Sequence, residues 1–95
     1  MTTLHIEHPI TDFPTWKSAF DRFAETRRSA GVRAEQIRRP VNDANFVVVD
    51  LDFDGAAAAT AFLHFLQTCV WVSPDAAPAL AGTPLASILE PAPVA

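Results

Sequence analysis

Ninety-five residues with a net charge of −4, 49% hydrophobic residues and one cysteine describe a single domain, 1–95, with material for a core. Such a chain buries roughly 60–65% of its unfolded surface, and seven Phe with two Trp exclude disorder. The acidic balance offers no basic footprint for nucleic acid or anionic lipid, and Cys69 alone permits no intrachain disulfide and no all-cysteine metal site, so a reducing cytoplasm is expected.

No positive segment precedes an apolar run at the amino terminus, so no signal peptide is expected. The longest nearly apolar stretch, Gly55 to Leu66, is interrupted by Thr60 and His64 and is too short to span a bilayer. In chain order, Leu4 to His8 alternates as a half-buried strand, Leu4 and Ile6 on one face, His5 and Glu7 on the other. Pro9 ends it. Asp12 stands as an N-cap, with Pro14 tolerated in the first turn. Phe13, Trp16, Phe20 and Phe23 then fall at helical spacing opposite Lys17, Asp21, Arg22, Glu25 and Arg28, predicting one helix closed by Gly31.

Val32 to Arg39 reads as a polar edge strand, and Val41 to Asn45 as the turn of a hairpin. Phe46 to Phe53 is the strongest strand. Val47, Val49, Leu51 and Phe53 share one face; Phe46, Val48, Asp50 and Asp52 share the other. Asp54-Gly55 opens an Ala-rich second helix with Phe62, Phe65, Leu66 and Cys69 as its core stripe. Ser73-Pro-Asp breaks it, one or two further turns follow over Asp75 to Leu80, and Leu85 to Glu90 is a last strand. Pro91 to Ala95 is a tail without clear structure.

Strands and helices alternating around a central hairpin predict a ferredoxin-like βαββαβ domain of the α+β class. Its four-stranded antiparallel sheet is backed by two helices on one face. The other face then carries Phe46 and Val48 in the open, and face-to-face pairing of two copies would cover them. The partner expected is therefore the chain itself, as a homodimer.

The segments Asp12-Phe-x-x-Trp16-Lys-x-x-Phe20, Ala30-Gly-Val32, the Asp43 to Phe53 hairpin and Phe62-Leu63 through Trp71 resemble the dimeric α+β barrel superfamily. That superfamily includes antibiotic-biosynthesis-monooxygenase-like domains, stress-responsive barrel proteins, small lactone isomerases and haem-degrading proteins. The resemblance covers Thr3 to Glu90, and it is to uncharacterised bacterial members. It implies the dimeric barrel and a cavity between helices and sheet, but spans unrelated chemistries, so function rests on a site.

Two groups are candidates. His5, Glu7 and Asp50 fall on one sheet face, where a histidine with two carboxylates serves as general base or cation ligand, or else as a polar interface cluster. His5 is the candidate catalytic residue; Glu7, Asp50, His64 and Trp71 are the candidate ligand-binding residues. His64 and Trp71, seven apart on the second helix, would share one side beside Thr68; the plain alternatives are a surface histidine and a tryptophan packed under the Pro74 to Leu80 loop. Trp71 stands where haem-degrading members carry a tryptophan, but their first-strand Asn and later His are missing, so haem degradation and a cofactor are not expected.

Arg27, Arg28, Arg33, Arg38 and Arg39 form a basic cluster read as a solvated surface, and Cys69 reads as a buried hydrophobe. Asp50-x-Asp52-x-Asp54 lacks the downstream Glu of a calcium loop, so no metal site is expected. The leading expectation is a homodimer binding a small hydrophobic or aromatic molecule. The alternative is a cofactor-independent monooxygenase or isomerase acting on an aromatic or polyketide-like compound.

Overall fold

The computed structural model describes residues 1–93, so Val94 and Ala95 of the expected tail lie outside the described residues. β1 (Thr2–Pro9) and β3 (Phe46–Phe53) form the middle of a four-stranded antiparallel sheet, with β2 (Ala34–Arg38) and β4 (Leu85–Leu89) at its edges in the order β2-β3-β1-β4. Alternation decides the register. Leu4 faces Leu51 and Ile6 faces Val49 across the central pair, so each strand sends its apolar set to the same side. Phe53, Leu4, Leu51 and Val47 are fully buried there, each burial favouring folding by about 1.5–3 kcal/mol.

Helices cover that side. α1 (Phe13–Arg22) begins where expected: Asp12 is extended and its Oδ1 accepts the Thr15 backbone N–H at 2.9 Å. This hydrogen bond holds the Asp12 carboxyl below its ordinary range. The single helix predicted to Gly31 is in fact broken at Phe23, whose φ of −98° and ψ of 14° leave the helical region, and it resumes as α2 (Ala24–Ser29). Gly31 then turns the chain with φ of +101°, a conformation costly for any residue with a Cβ.

α3 (Ala56–Phe65) starts one residue later than read, with Gly55 as N-cap; Asp54 instead pairs with Arg33 (Nη2 to Oδ2, 2.7 Å). It runs into a π turn over Leu66–Val70, closed by a bond from the Trp71 N–H to the Leu66 carbonyl at 2.8 Å. The extra residue rotates everything downstream by about 100° relative to an α-helix. Cys69, expected on the core stripe, is therefore exposed, and Val70 is buried in its place. Among the described residues no helix is long and apolar enough to cross a membrane.

The segment from Trp71 to Pro84 folds back over the end of β1. Ile10 bridges Leu80, the Thr11 N–H donates to the Ala79 carbonyl at 2.9 Å, and the Ala81 N–H donates to the Pro9 carbonyl at 3.2 Å. The face of the sheet away from the helices has no covering layer among the described residues. Phe46 and Val48 are only half-buried on it, as expected, but the more exposed apolar residues are Leu85 and Leu89 of β4, opposite Glu7 and Thr3.

Candidate functional site

Two chemically distinct places result, one on each side of the sheet. Between sheet and helices lies a cavity of about 90 Å³, partly open to solvent. Its walls are aromatic: Trp16 stacks on Phe20 at 4.9 Å, Phe62 lies 5.8 Å from Phe65, and Trp71 closes the side next to the π turn. Ala76, Ala77 and Leu80 of the returning loop form another wall. Arg22 ties that loop to α1 through a 3.2 Å bond from Nη2 to the Asp75 carbonyl.

Two polar side chains enter this apolar enclosure. Arg27 is 4% exposed, with Nε 2.8 Å and Nη2 3.3 Å from the Glu35 carboxylate and Nη1 2.5 Å from the Phe20 carbonyl. Its guanidinium lies 3.6 Å from the centre of the Phe20 ring, a cation–π contact within a desolvated site. The expectation that Arg27 is solvated is corrected: the break at Phe23 turns α2 so that its side chain lies under α1, and Glu35 on β2 neutralises it. His8 is 5% exposed, its ring centre 6.4 Å from that of Trp16. Burial pushes its pKa down, opposed by a weaker contribution from the bond of Nδ1 to the Pro9 carbonyl at 3.0 Å.

On the uncovered face, His5 and Asp50 are cross-strand partners, and Nδ1 lies 2.6 Å from Oδ1. His5 Nε2 reaches Glu7 at 3.1 Å, while Asp50 accepts from Arg38 Nη2 at 2.5 Å. Hydrogen bonds to Asp50 first and Glu7 second push the His5 pKa up. Beside them Thr3 donates to Asp52 at 2.6 Å. The result is a charged stripe along one half of this face.

No protein-family model matches the chain, and no curated protein matches it in sequence. Solved structures do match in shape. SnoaB, a cofactor-independent oxygenase from Streptomyces nogalater, superposes with a TM-score of 0.69 at 19% identity, covering 98% of this chain and 94% of that one. An uncharacterized NIPSNAP domain protein from Burkholderia xenovorans superposes with a TM-score of 0.61 at 18% identity, covering 97% and 95%. The likeness shows the fold, a ferredoxin-like four-stranded antiparallel sheet backed by helices, shared with both proteins.

On this fold the residues singled out from sequence are divided. His5, Glu7 and Asp50 come together as read, but on the open face; Trp71 stands in the cavity wall on the other side. A single pocket lined by both His5 and Trp71 is thus excluded by the sheet between them. His64 is exposed, its carbonyl taken by the Thr68 hydroxyl at 2.8 Å, and it is not part of the cavity wall. The shared side read for His64 and Trp71 held only for an uninterrupted α-helix, and the π turn breaks that phase. His8 and Arg27 were missed. A signal existed for His8: strict alternation places it on the face of Leu4 and Ile6, an unusual position for a polar ring.

Proposed function

We propose that the chain binds a small hydrophobic or aromatic molecule in the cavity between its helices and sheet, and that it does so as a cytoplasmic homodimer joined through the open sheet face. The observation that carries the reading is the aromatic-walled cavity, with few polar groups, partly open on one side. Flat rings offer dispersion contact and edge-to-face partners to another ring, which favours an aromatic occupant. For the dimer, Leu85 and Leu89 stand exposed on the same face as half-buried Phe46 and Val48, and a second copy would cover all four. In that assembly His5, Glu7 and Asp50 become a polar cluster across the interface.

The test of binding is a titration of ¹⁵N-labelled protein with toluene. Shifts are expected at Ala76, Ala77, Val49 and the Trp71 indole; no shifts up to saturation would sink the binding reading. Light scattering at micromolar concentration tests the dimer, which Leu85→Lys is expected to weaken.

A second reading, oxygenation or isomerisation of an aromatic or polyketide-like compound without a cofactor, is favoured by the likeness to SnoaB. Such chemistry needs a proton removed from the substrate. His8 stands in the cavity wall for that task, whereas His5 faces away from it. Oxygen uptake with phenolic substrates tests this reading. A confirmed substrate whose turnover is abolished by His5→Ala would return the base to the open face.

A further inference from the structure

One side chain in the cavity wall, His8, carries a ring nitrogen without a protein partner. His8 Nδ1 lies 3.0 Å from the Pro9 carbonyl, and a carbonyl oxygen can only accept, so Nδ1 carries the proton. The neutral ring then has its lone pair on Nε2. Among the described residues His8 makes no hydrogen bond through that nitrogen, although the side chain is 5% exposed and forms part of the cavity wall. Among the described residues no buried side-chain nitrogen or oxygen lacks a partner, so Nε2 keeps contact with solvent, and a ligand that displaces that solvent must donate to it or leave it unsatisfied at a cost.

We propose that His8 Nε2 is the specificity-determining acceptor of the cavity and that its ligand is a neutral aromatic hydroxyl compound, of the phenol class. The proposal rests on the cavity being a binding site. Three ligand chemistries compete, and the wall discriminates among them. A bare hydrocarbon satisfies the rings and leaves Nε2 unpaired. A carboxylate meets the Nε2 lone pair, and the cation it would seek, Arg27, is already neutralised by Glu35 and tied to the Phe20 carbonyl. A phenolic O–H donates to Nε2 while its ring lies among Trp16, Phe20 and Trp71. The lowered pKa of His8 agrees with this, because a protonated ring would have no lone pair to offer.

The substitution needed to test this is mild for the fold. The Pro9 carbonyl also accepts from the Ala81 N–H at 3.2 Å, so removing the imidazole leaves it partnered. Phenol and toluene, nearly equal in shape, are titrated into the full-length wild type and into His8→Leu, followed by amide shifts. The ratio of phenol to toluene affinity is expected to fall about tenfold in His8→Leu, the value of one neutral hydrogen bond, with toluene affinity kept within about twofold. In the wild type, the imidazole Nε2 ¹⁵N resonance is expected to move with phenol and stay with toluene; this readout needs no variant. An unchanged affinity ratio, or an Nε2 resonance indifferent to phenol, overturns the acceptor role while toluene binding leaves the cavity reading standing. Failure of both probes to bind overturns both.

Discussion

Removing Glu35 is expected to destabilise the protein more than removing Arg27, although both changes break the same ion pair. The two side chains differ in exposure: 5% for Arg27 and 37% for Glu35. In Glu35→Ala the guanidinium stays under α1 without its carboxylate, keeping only the Phe20 carbonyl and the Phe20 ring. Breaking a fully buried pair costs about 3–5 kcal/mol; with one partner more than a third in water, about 2 kcal/mol is the reasoned figure. In Arg27→Met the stem is replaced by a chain of similar reach, Glu35 rehydrates, and the Phe20 carbonyl still accepts from the Phe23 N–H at 3.2 Å. That change should cost about 0–1 kcal/mol.

The double variant should resemble Arg27→Met alone, giving a coupling of about 2 kcal/mol. Urea unfolding at pH 7, at fixed protein concentration and with unchanged m-values, measures all four corners of the cycle. If Arg27→Met costs as much as Glu35→Ala, or the two add, Arg27 is not held as a desolvated charge and the reasoning fails.

The two histidines of β1 should give opposite dependences on pH. His8 has a lowered folded pKa, so stability should fall as pH drops from about 6.5, its unfolded value, toward the folded one, and His8→Gln should remove that loss. His5 has a raised folded pKa; its stabilisation is complete below about 6.5 and is lost as pH rises through the folded value, so His5→Gln should flatten the alkaline limb of the same thermal melts. Phe62→Ala, at a core position 4% exposed, should cost about 3–5 kcal/mol in urea unfolding; a cost below 1 would mean that α3 is not clamped to the sheet by this ring. Gly82→Ala should lower the melting temperature, because a Cβ there would lie 2.8 Å from Pro9 Cγ, and an unchanged melt would show that the loop moves aside freely.

The fold was readable because its signals are local and mutually consistent. Alternation in β1 and β3, the Asp12 cap and the Gly31 turn each follow from a few neighbouring residues, and each places an element without knowledge of the others. The candidate site was readable only by halves. The His5–Asp50 pairing followed from alternation plus strand order, both available in advance. The cavity depends on departures from regularity. The break at Phe23 and the π turn at Leu66–Val70 change which side of a helix faces inward, and neither carries a composition cue such as Pro or a Gly pair. Arg27 was accordingly read as surface, Cys69 as core, and His64 as a neighbour of Trp71. His8 is legible in principle, but as the last apolar-face position before Pro9 it carries the same signal as a strand end.

The strand β1 carries His5 and His8 three positions apart, their rings on opposite sides of one sheet. Each imidazole is thus shielded by a layer of backbone from events that affect the other. A spectrum of the two rings is a pair of independent channels: occupancy of the enclosed side should register at His8, and contact with a second copy at His5. One label on histidine, with the exposed His64 as a third ring outside both places, therefore separates ligand uptake from self-association without any engineered probe.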